Sequence, residues 1–396
     1  MQRLPDDLLR VVVYFSVDCL RSLLRLRLVN TQFGRVVRSP SMVSHLPLTL
    51  MYCRANAPSV LVEDDCYRAI PDHVLGWLAT GMHYVSIHDA TPGSCLETRL
   101  KTWCNLRSLK LFHSVVHELD LSSTVETMAL DSSCVANQPC NVSCRVLRVS
   151  FCDVFDHDCI ARMTGIESLK LERMRAEAIG FVEPLTSLHS FSLSECAHLT
   201  DVSGLAGLSL RKLKLEYCPL LSDIGSVLRL TQLDVLKVLE CHSISNHDLQ
   251  LAVDQLSKLS QLWIRHHHIT SLSLSKLPHL TCVRLFDCVD LADLRGLPAG
   301  LLELNLDSCG RIRDFSELDA LVSLRDLNVC DCQIAELPKL PALCELNVSH
   351  CDNLTDEGLS NVFPCPQLQC LIMHDCTSVT DQQRSRLNGL VPSVLG

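Results

Sequence analysis

Apolar and polar positions along the chain repeat in one short pattern, L-x-x-L-x-L-x-x-C, with aliphatic residues at the first, fourth and sixth places. Successive units start 19 to 26 residues apart. Because side chains alternate across a strand, the fourth and sixth residues point to one face, and the pattern predicts a short strand in every unit. Thirteen units share this register, and they start at Leu106, Val125, Cys144, Ile166, Leu188, Leu210, Leu233, Leu259, Leu280, Leu301, Leu324, Leu343 and Leu368.

Units of this length cannot bury their leucines alone, so each unit must stack on the next. The pattern resembles the leucine-rich repeat. This resemblance implies an α/β solenoid, a horseshoe with one parallel sheet on the concave side. We expect the repeat domain to span residues 46–396, with weaker units around Met82 and Leu50, and a helical segment, residues 1–45, to precede it.

The segments between the predicted strands differ from unit to unit. Several begin with x-x-(I/L/V)-(T/S)-D after the ninth place, as in Leu354-Thr355-Asp356, which resembles the cysteine-containing leucine-rich repeats. Glycine-rich segments such as 204–207 leave little room for a full helix, whereas residues 248–259 and 356–362 have helical spacing. We therefore expect a convex side that mixes helices with turns and 3₁₀ pieces.

The sequence contains 23 cysteines, and their positions decide how they are interpreted. A small, weakly polar side chain at the ninth place would point inward, toward backbone groups of the turn. We interpret this column as structural, reduced and metal-free, with His267 filling the place in the unit that starts at Leu259, and we expect no cofactor. The ninth-place cysteines are Cys53, Cys152, Cys196, Cys218, Cys241, Cys288, Cys309, Cys332, Cys351 and Cys376.

Residues 1–45 show helical spacing in two stretches, 8–15 and 20–28. The segment resembles an F-box, whose pattern opens with L-P-x-x-(L/I)-(L/V) and continues with an aromatic and spaced leucines. Cys19 departs from that pattern, and Phe33 stands where the family usually has tryptophan. The resemblance assigns adaptor contacts to Leu4, Pro5, Leu8, Leu9, Phe15, Leu20, Leu23 and Val29.

The F-box resemblance implies that the chain binds a Skp-type adaptor and, through it, a cullin-RING ubiquitin ligase. The repeats would then hold an unknown protein substrate on the concave face. Two alternatives remain open. The N-terminal helices could only cap the first repeat, and the chain could be a non-catalytic scaffold or a subunit of a larger assembly without ubiquitin chemistry.

Composition narrows the class of function. The formal net charge of −10 argues against a general binder of nucleic acid or anionic membrane. No phosphate-binding loop, dinucleotide fingerprint, zinc-protease motif or nucleophile elbow occurs, so we do not expect an enzyme. The N-terminus has no signal-peptide pattern, and the many free thiols favour a reducing compartment, so we expect a cytoplasmic or nuclear protein.

The outward third, fifth and seventh places of each unit predict the binding surface. Basic residues dominate these places in the first two thirds of the array, and acidic residues dominate the last third. Trp263 lies at an outward place, and exposed tryptophan and arginine are enriched at interface hot spots. We therefore expect a partner with an apolar anchor and some acidic character to contact Lys214, Lys237, Leu239, Trp263, Arg265, Arg284 and Phe286.

Overall fold

The structure is a computed structural model. It describes residues 48–51, 84–88, 106–113, 115–116, 121, 125–135, 143–151, 157–266, 268–362 and 365–395. The predicted F-box-like segment, residues 1–45, lies outside the described residues, as do Cys53, Cys152 and His267. Contacts divide the chain into two compact units, Met1–Leu171 and Glu172–Gly396.

The first unit contains short parallel strands. The strands β1, β2, β3, β5 and β7 pair in chain order, and β4 pairs separately with β6. The pairing aligns Leu48 with Val85 and Val85 with Leu109, so the two weaker units keep the register of the stronger ones. The elements are β1 (Leu48–Met51), β2 (Tyr84–His88), β3 (Ser108–Phe112), β4 (Val115–Val116), β5 (Val125–Asp131), β6 (Cys134–Val135), β7 (Cys144–Ser150), the helix α1 (His157–Arg162) and β8 (Ser168–Glu172), whose last residue opens the second unit.

The second unit repeats the same arrangement. Its strands pair in chain order and in parallel, except that β13 and β15 pair with each other on the return side. The elements are β9 (Ser190–Ser194), β10 (Lys212–Glu216), β11 (Val235–Leu239), α2 (Asn246–Gln255), β12 (Gln261–Arg265), β13 (Ser271–Ser273), β14 (Cys282–Phe286), β15 (Asp293–Arg295), β16 (Glu303–Asn305), β17 (Asp326–Asn328), β18 (Glu345–Asn347), β19 (Cys370–Ile372), α3 (Asp381–Asn388) and β20 (Ser393–Leu395).

The core is a stack of aliphatic residues from equivalent places. The fourth residues of neighbouring strands pair directly, as Leu213 does with Leu236 and Leu236 with Leu262. Full burial of one such side chain stabilises the fold by about 1.5–3 kcal/mol, so the stack supplies most of the driving force. The leucine-rich-repeat solenoid is therefore confirmed, and the leucines expected inside are all buried: Leu109, Leu111, Leu169, Leu213, Leu215, Leu304, Leu306 and Leu346.

The return segments mix helices, turns and 3₁₀ pieces, as predicted. Helix α2 begins after Ser245, whose Oγ accepts a hydrogen bond from the Asp248 amide at 3.1 Å. The helix predicted at 356–362 is wrong, because this segment forms turns and a 3₁₀ piece at Ser360–Val362. At Gly358 an added Cβ would overlap the carbonyl oxygen of Ala335, so only glycine fits where this segment approaches the previous return segment.

The eighth residue of each unit turns the chain out of the strand. Twelve described residues other than glycine have positive φ, between 47° and 59°, and every one is an eighth residue, as in Tyr217 and Asp331. The amide of this residue continues the ladder, since the Tyr217 amide donates to the Leu239 carbonyl at 2.9 Å. Left-handed backbone costs about 1–2 kcal/mol for an L-residue, so the stacked turns must compensate for it. In the described part of the chain, His266 is the one eighth residue outside this conformation.

The ninth-place cysteines lie inside, as predicted. All eight that the structure describes are buried free thiols. Their Sγ–H groups donate to backbone carbonyls. Cys332 donates to Leu306 and Cys351 to Val329, each at 3.0 Å. Burial raises the pKa of the Cys351 thiol to about 12, so the reactive thiolate is scarce at neutral pH. Cys159, which lies in α1 and off this column, is disulfide-bonded.

Candidate binding surface on the exposed face of the sheet

Six of the residues predicted to contact a partner form two adjacent rows on the exposed face of the sheet. We call them the Trp263 patch. All six are half-buried, and Lys214 lies next to the patch because it pairs with Lys237. The strands β11, β12 and β14 align the residues of the patch in register: Lys237, Trp263 and Arg284 at the fifth place, and Leu239, Arg265 and Phe286 at the seventh.

The indole of Trp263 is held between two cations from the flanking strands. The Nζ of Lys237 lies 3.1 Å from the ring centroid, and the Cζ of Arg284 lies 4.5 Å from it. The Phe286 ring meets the indole edge-on, with the centroids 6.4 Å apart. Each cation–π contact at a partly exposed site is worth about 0.5–1 kcal/mol, so the arrangement orders all three side chains at modest gain.

Hydrogen-bond donors in this patch lack acceptors. The Nε1 of Trp263 and the Nε of Arg284 have no accessible surface and no hydrogen-bond partner among the described residues. A buried donor left unsatisfied costs about 1–3 kcal/mol. The pKa of Lys237 is lowered, first by burial and then by the nearby Lys214 and Arg284 cations, so its ammonium lies in positive surroundings.

Three cations of this surface, Lys214, Arg265 and Arg284, form ion pairs with carboxylates of the chain itself. Arg265 bridges two acids, with its Nε 2.8 Å from Glu240 Oε1 and its Nη2 2.6 Å from Asp287 Oδ2. Arg284 pairs with Glu303, and Lys214 pairs with Glu216 at 2.5 Å. These pairs fix the side chains around the indole. They also make Arg265 a structural neighbour of Trp263 with little charge left for a partner.

A buried histidine beside the patch was not predicted. We expected His267 inside, but His267 lies outside the described residues, and His266 is buried at 1% exposure. The Nδ1 of His266 accepts a hydrogen bond from the His268 amide at 3.2 Å, which leaves Nε2 to donate to the Ile244 carbonyl at 3.1 Å. The pKa of His266 is lowered, mainly by burial and then by His242, so the ring is neutral at pH 7.

The unit 259–279, which we call the histidine unit, differs from its neighbours at the turn that follows β12, the strand that contains Trp263. The rings of His242, His266 and His268 lie 5.5 to 6.2 Å apart in edge-on contacts. His242 Nε2 lies 2.7 Å from Glu240 Oε2, and Glu240 also contacts Arg265. The histidine cluster is thereby linked to the Trp263 patch. The missing ninth-place cysteine of this unit was visible in the sequence, but it directed attention to His267 and not to His266.

The exposed face becomes acidic after β14, as predicted. Strand pairing aligns Glu303, Asp326 and Glu345 at the third place. Burial raises the pKa of Asp326, and the two neighbouring carboxylates raise it further. At the fifth place Asn305, Asn328 and Asn347 are aligned in the same way; the Oδ1 of each accepts from the amide two residues on, at 2.9 to 3.0 Å.

Within the described residues, no group of three or more histidine, cysteine, aspartate or glutamate side chains is arranged to hold a metal ion. The histidine cluster illustrates why, since both ring nitrogens of His266 already have hydrogen-bond partners. None of the described helices combines the length and the apolar character needed to cross a membrane.

Comparisons with known proteins agree with this geometry. No protein-family model matches the sequence. A leucine-rich-repeat protein of Leptospira interrogans is similar at 16% identity and a TM-score of 0.51, covering 91% of this chain and 96% of that one. The Drosophila Toll–Spatzle complex is similar at 14% identity and a TM-score of 0.51, covering 83% of this chain and 54% of that one. A domain of InlJ from Listeria monocytogenes, described as including a cysteine ladder, is similar at 17% identity and a TM-score of 0.47. The match covers 81% of this chain and 69% of that one. The likeness to the Leptospira protein identifies the fold as a leucine-rich-repeat solenoid.

Proposed function

We propose that the protein is a non-catalytic scaffold that binds a protein partner through the Trp263 patch. The observation that carries this proposal is the half-buried indole of Trp263, held between Lys237 and Arg284 on the exposed face of the sheet. Tryptophan and arginine are the residues most enriched among interface hot spots. The regular leucine core explains the fold without this ring, so its position is better explained by contact with another molecule.

The test compares the full chain with two alanine variants. Trp263→Ala removes the indole, and Leu390→Ala trims a side chain that is 59% exposed elsewhere in the same unit. We expect at least one partner captured from cell extract, and then purified, to bind Trp263→Ala at least about tenfold more weakly, which is 1.4 kcal/mol. Binding to Leu390→Ala should be unchanged. Equal affinity for both variants would refute the proposal.

We propose further that the partner bound by the repeats is a substrate of a cullin-RING ubiquitin ligase. This finer proposal is supported by the F-box-like sequence of residues 4–33, with Pro5 and Leu9 in its opening motif. An F-box would tether the chain to a Skp-type adaptor, and the protein would then act in the cytoplasm or nucleus. The alternative remains a scaffold whose N-terminal helices only cap the array.

A binding assay with a purified Skp-type adaptor distinguishes the ubiquitin-ligase receptor from the scaffold with an N-terminal cap. The double variant Pro5→Asp, Leu9→Asp should lose adaptor binding and keep binding of the repeat partner. Trp263→Ala should show the opposite pattern, since it changes only the sheet face. If the adaptor fails to bind the wild-type chain, or binds the double variant equally well, the ubiquitin-ligase role is refuted and the scaffold proposal stands.

A further inference from the structure

The Trp263 patch contains more hydrogen-bond donors than acceptors. Trp263 Nε1 and Arg284 Nε have no hydrogen-bond partner among the described residues. Lys237 contacts the indole, and no carboxylate of the described chain forms an ion pair with it. In contrast, Lys214 and Arg265 each have a carboxylate partner. The unmatched donors are therefore concentrated at one point, around the indole.

An occupant of this point must supply acceptors, because a covered donor left without a hydrogen-bond partner destabilises the complex. It must also favour positive surroundings, because Lys214, Lys237 and Arg284 are aligned around the indole at the fifth place of their strands. Leu239 and Phe286 border the cations on the seventh row, so the same occupant meets apolar surface beside the charge. A carboxylate next to an aromatic or aliphatic side chain satisfies all three conditions.

Lys237 covers the ring that such a partner would use. Its flexible four-carbon stem can move, whereas Arg284 is tied to Glu303. A hydrogen bond to a charged group is stronger than a cation–π contact at a partly exposed site. The lysine therefore gains by exchanging the indole face for a carboxylate.

We propose, on the basis of the proposed function, that the Trp263 patch recognises an acidic segment of a protein partner. A carboxylate of that segment pairs with Lys237 and draws its ammonium off the indole. The uncovered ring then packs against the neighbouring apolar side chain of the partner, and Trp263 Nε1 gains an acceptor. The site is thus closed by Lys237 in the unbound protein and opened by the partner's charge.

The test follows the indole signals of the full chain labelled with ¹⁵N-tryptophan. The sequence has three tryptophans, and Trp263→Phe assigns the signal of interest. The probes are the peptides acetyl-Gly-Glu-Phe-Glu-Gly-amide, its Gln-Phe-Gln analogue and its Glu-Gly-Glu analogue. We expect saturable movement of the Trp263 signal with the first peptide, at up to about 10 mM, and at least about tenfold weaker binding of both analogues.

Two lysine variants complete the experiment. Lys237→Met keeps the stem and removes the charge, and Lys212→Met removes the same charge from the exposed third place of the adjacent strand β10. We expect Lys237→Met to weaken the first peptide at least about tenfold and Lys212→Met to weaken it less than about twofold. Unchanged binding by Lys237→Met, equal binding of the Gln analogue, or no movement with any peptide would overturn the inference.

The experiment also distinguishes this inference from the proposed function. If the natural partner requires Trp263 but not Lys237, the patch is a binding surface and only the carboxylate assignment is wrong. If the natural partner ignores Trp263, the proposed function itself is wrong. Movement of the Trp263 signal with a short oligonucleotide and not with the acidic peptide would reassign the site to phosphate, which also overturns the inference.

Discussion

Two neighbouring repeats use the same inner core and different turns. The unit 259–279 contains Trp263 and turns at His266, which is buried and does not have a positive φ. The unit 280–300 turns at Asp287 with φ of 47° and places Cys288 inside. The contrast teaches that the inward leucines fix the stacking, whereas the strand-to-turn step can change without breaking it. The changed step lies beside the only described tryptophan.

The largest expected effect is one that the two repeats share. Leu262, at the fourth place of its unit, and Leu285, at the sixth place of the next unit, are both fully buried in the same core. Substitution of either by alanine should lower the free energy of unfolding by about 2–5 kcal/mol, because each leaves a cavity in the leucine stack. Urea denaturation of both variants measures this. A cost below about 1 kcal/mol for Leu262→Ala alone would show that the core of the histidine unit is packed less tightly than that of the next unit.

The contribution of the two repeats to the free energy of unfolding should respond differently to pH. The pKa of His266 is lowered by burial, so the folded state binds fewer protons than the unfolded state below the ordinary histidine pKa of about 6.5. Its contribution to stability is therefore complete above that value and is lost as pH falls toward the folded-state pKa. Each unit of lowering is worth about 1.4 kcal/mol.

Denaturation at pH 7.5 and at about pH 5 tests this effect. His266→Gln keeps a donor and an acceptor without the titration, so it should lose less stability on acidification than the wild type. His279→Gln removes an exposed histidine from the same unit and should behave like the wild type. Identical pH dependence in all three proteins would contradict the assignment of His266 as a neutral buried ring.

In the regular unit, the buried thiol should contribute less. The Sγ–H of Cys288 donates to the Phe286 carbonyl at 3.4 Å, and Cys288 is fully buried. Cys288→Ala should lower the free energy of unfolding by about 1–2 kcal/mol, since it removes a weak hydrogen bond and leaves a small void. Thermal unfolding with reductant present measures it. An unchanged stability would indicate that the ninth-place thiol at Cys288 does not stabilise the turn.

These contrasts show what a sequence can predict in such a fold. The repeat spacing predicted the strands, the inward leucines and the alignment of Lys237, Trp263 and Arg284, because stacking brings equal places together. It did not predict that His266 is buried, because the turn of this unit has a different backbone conformation from the turns of the other described units. Nor could it show that Arg265 is paired internally, since that depends on the geometry between side chains.

The smallest effect should come from replacing a turn residue by glycine, which tests whether the left-handed step stores strain. Asp331 has φ of 54° and an exposed side chain. Glycine adopts this backbone without steric penalty, but it also gains freedom in the unfolded chain, so the two effects nearly cancel. Asp331→Gly should therefore raise the free energy of unfolding by no more than about 1 kcal/mol. Asp331→Val should lower it by about 1–2 kcal/mol, because a β-branched residue is strained there. His266→Gly supplies the comparison, since no left-handed strain exists at that turn to relieve and a buried ring is lost. If glycine stabilised the histidine turn as well, the difference between the two repeats would lie in the side chains alone.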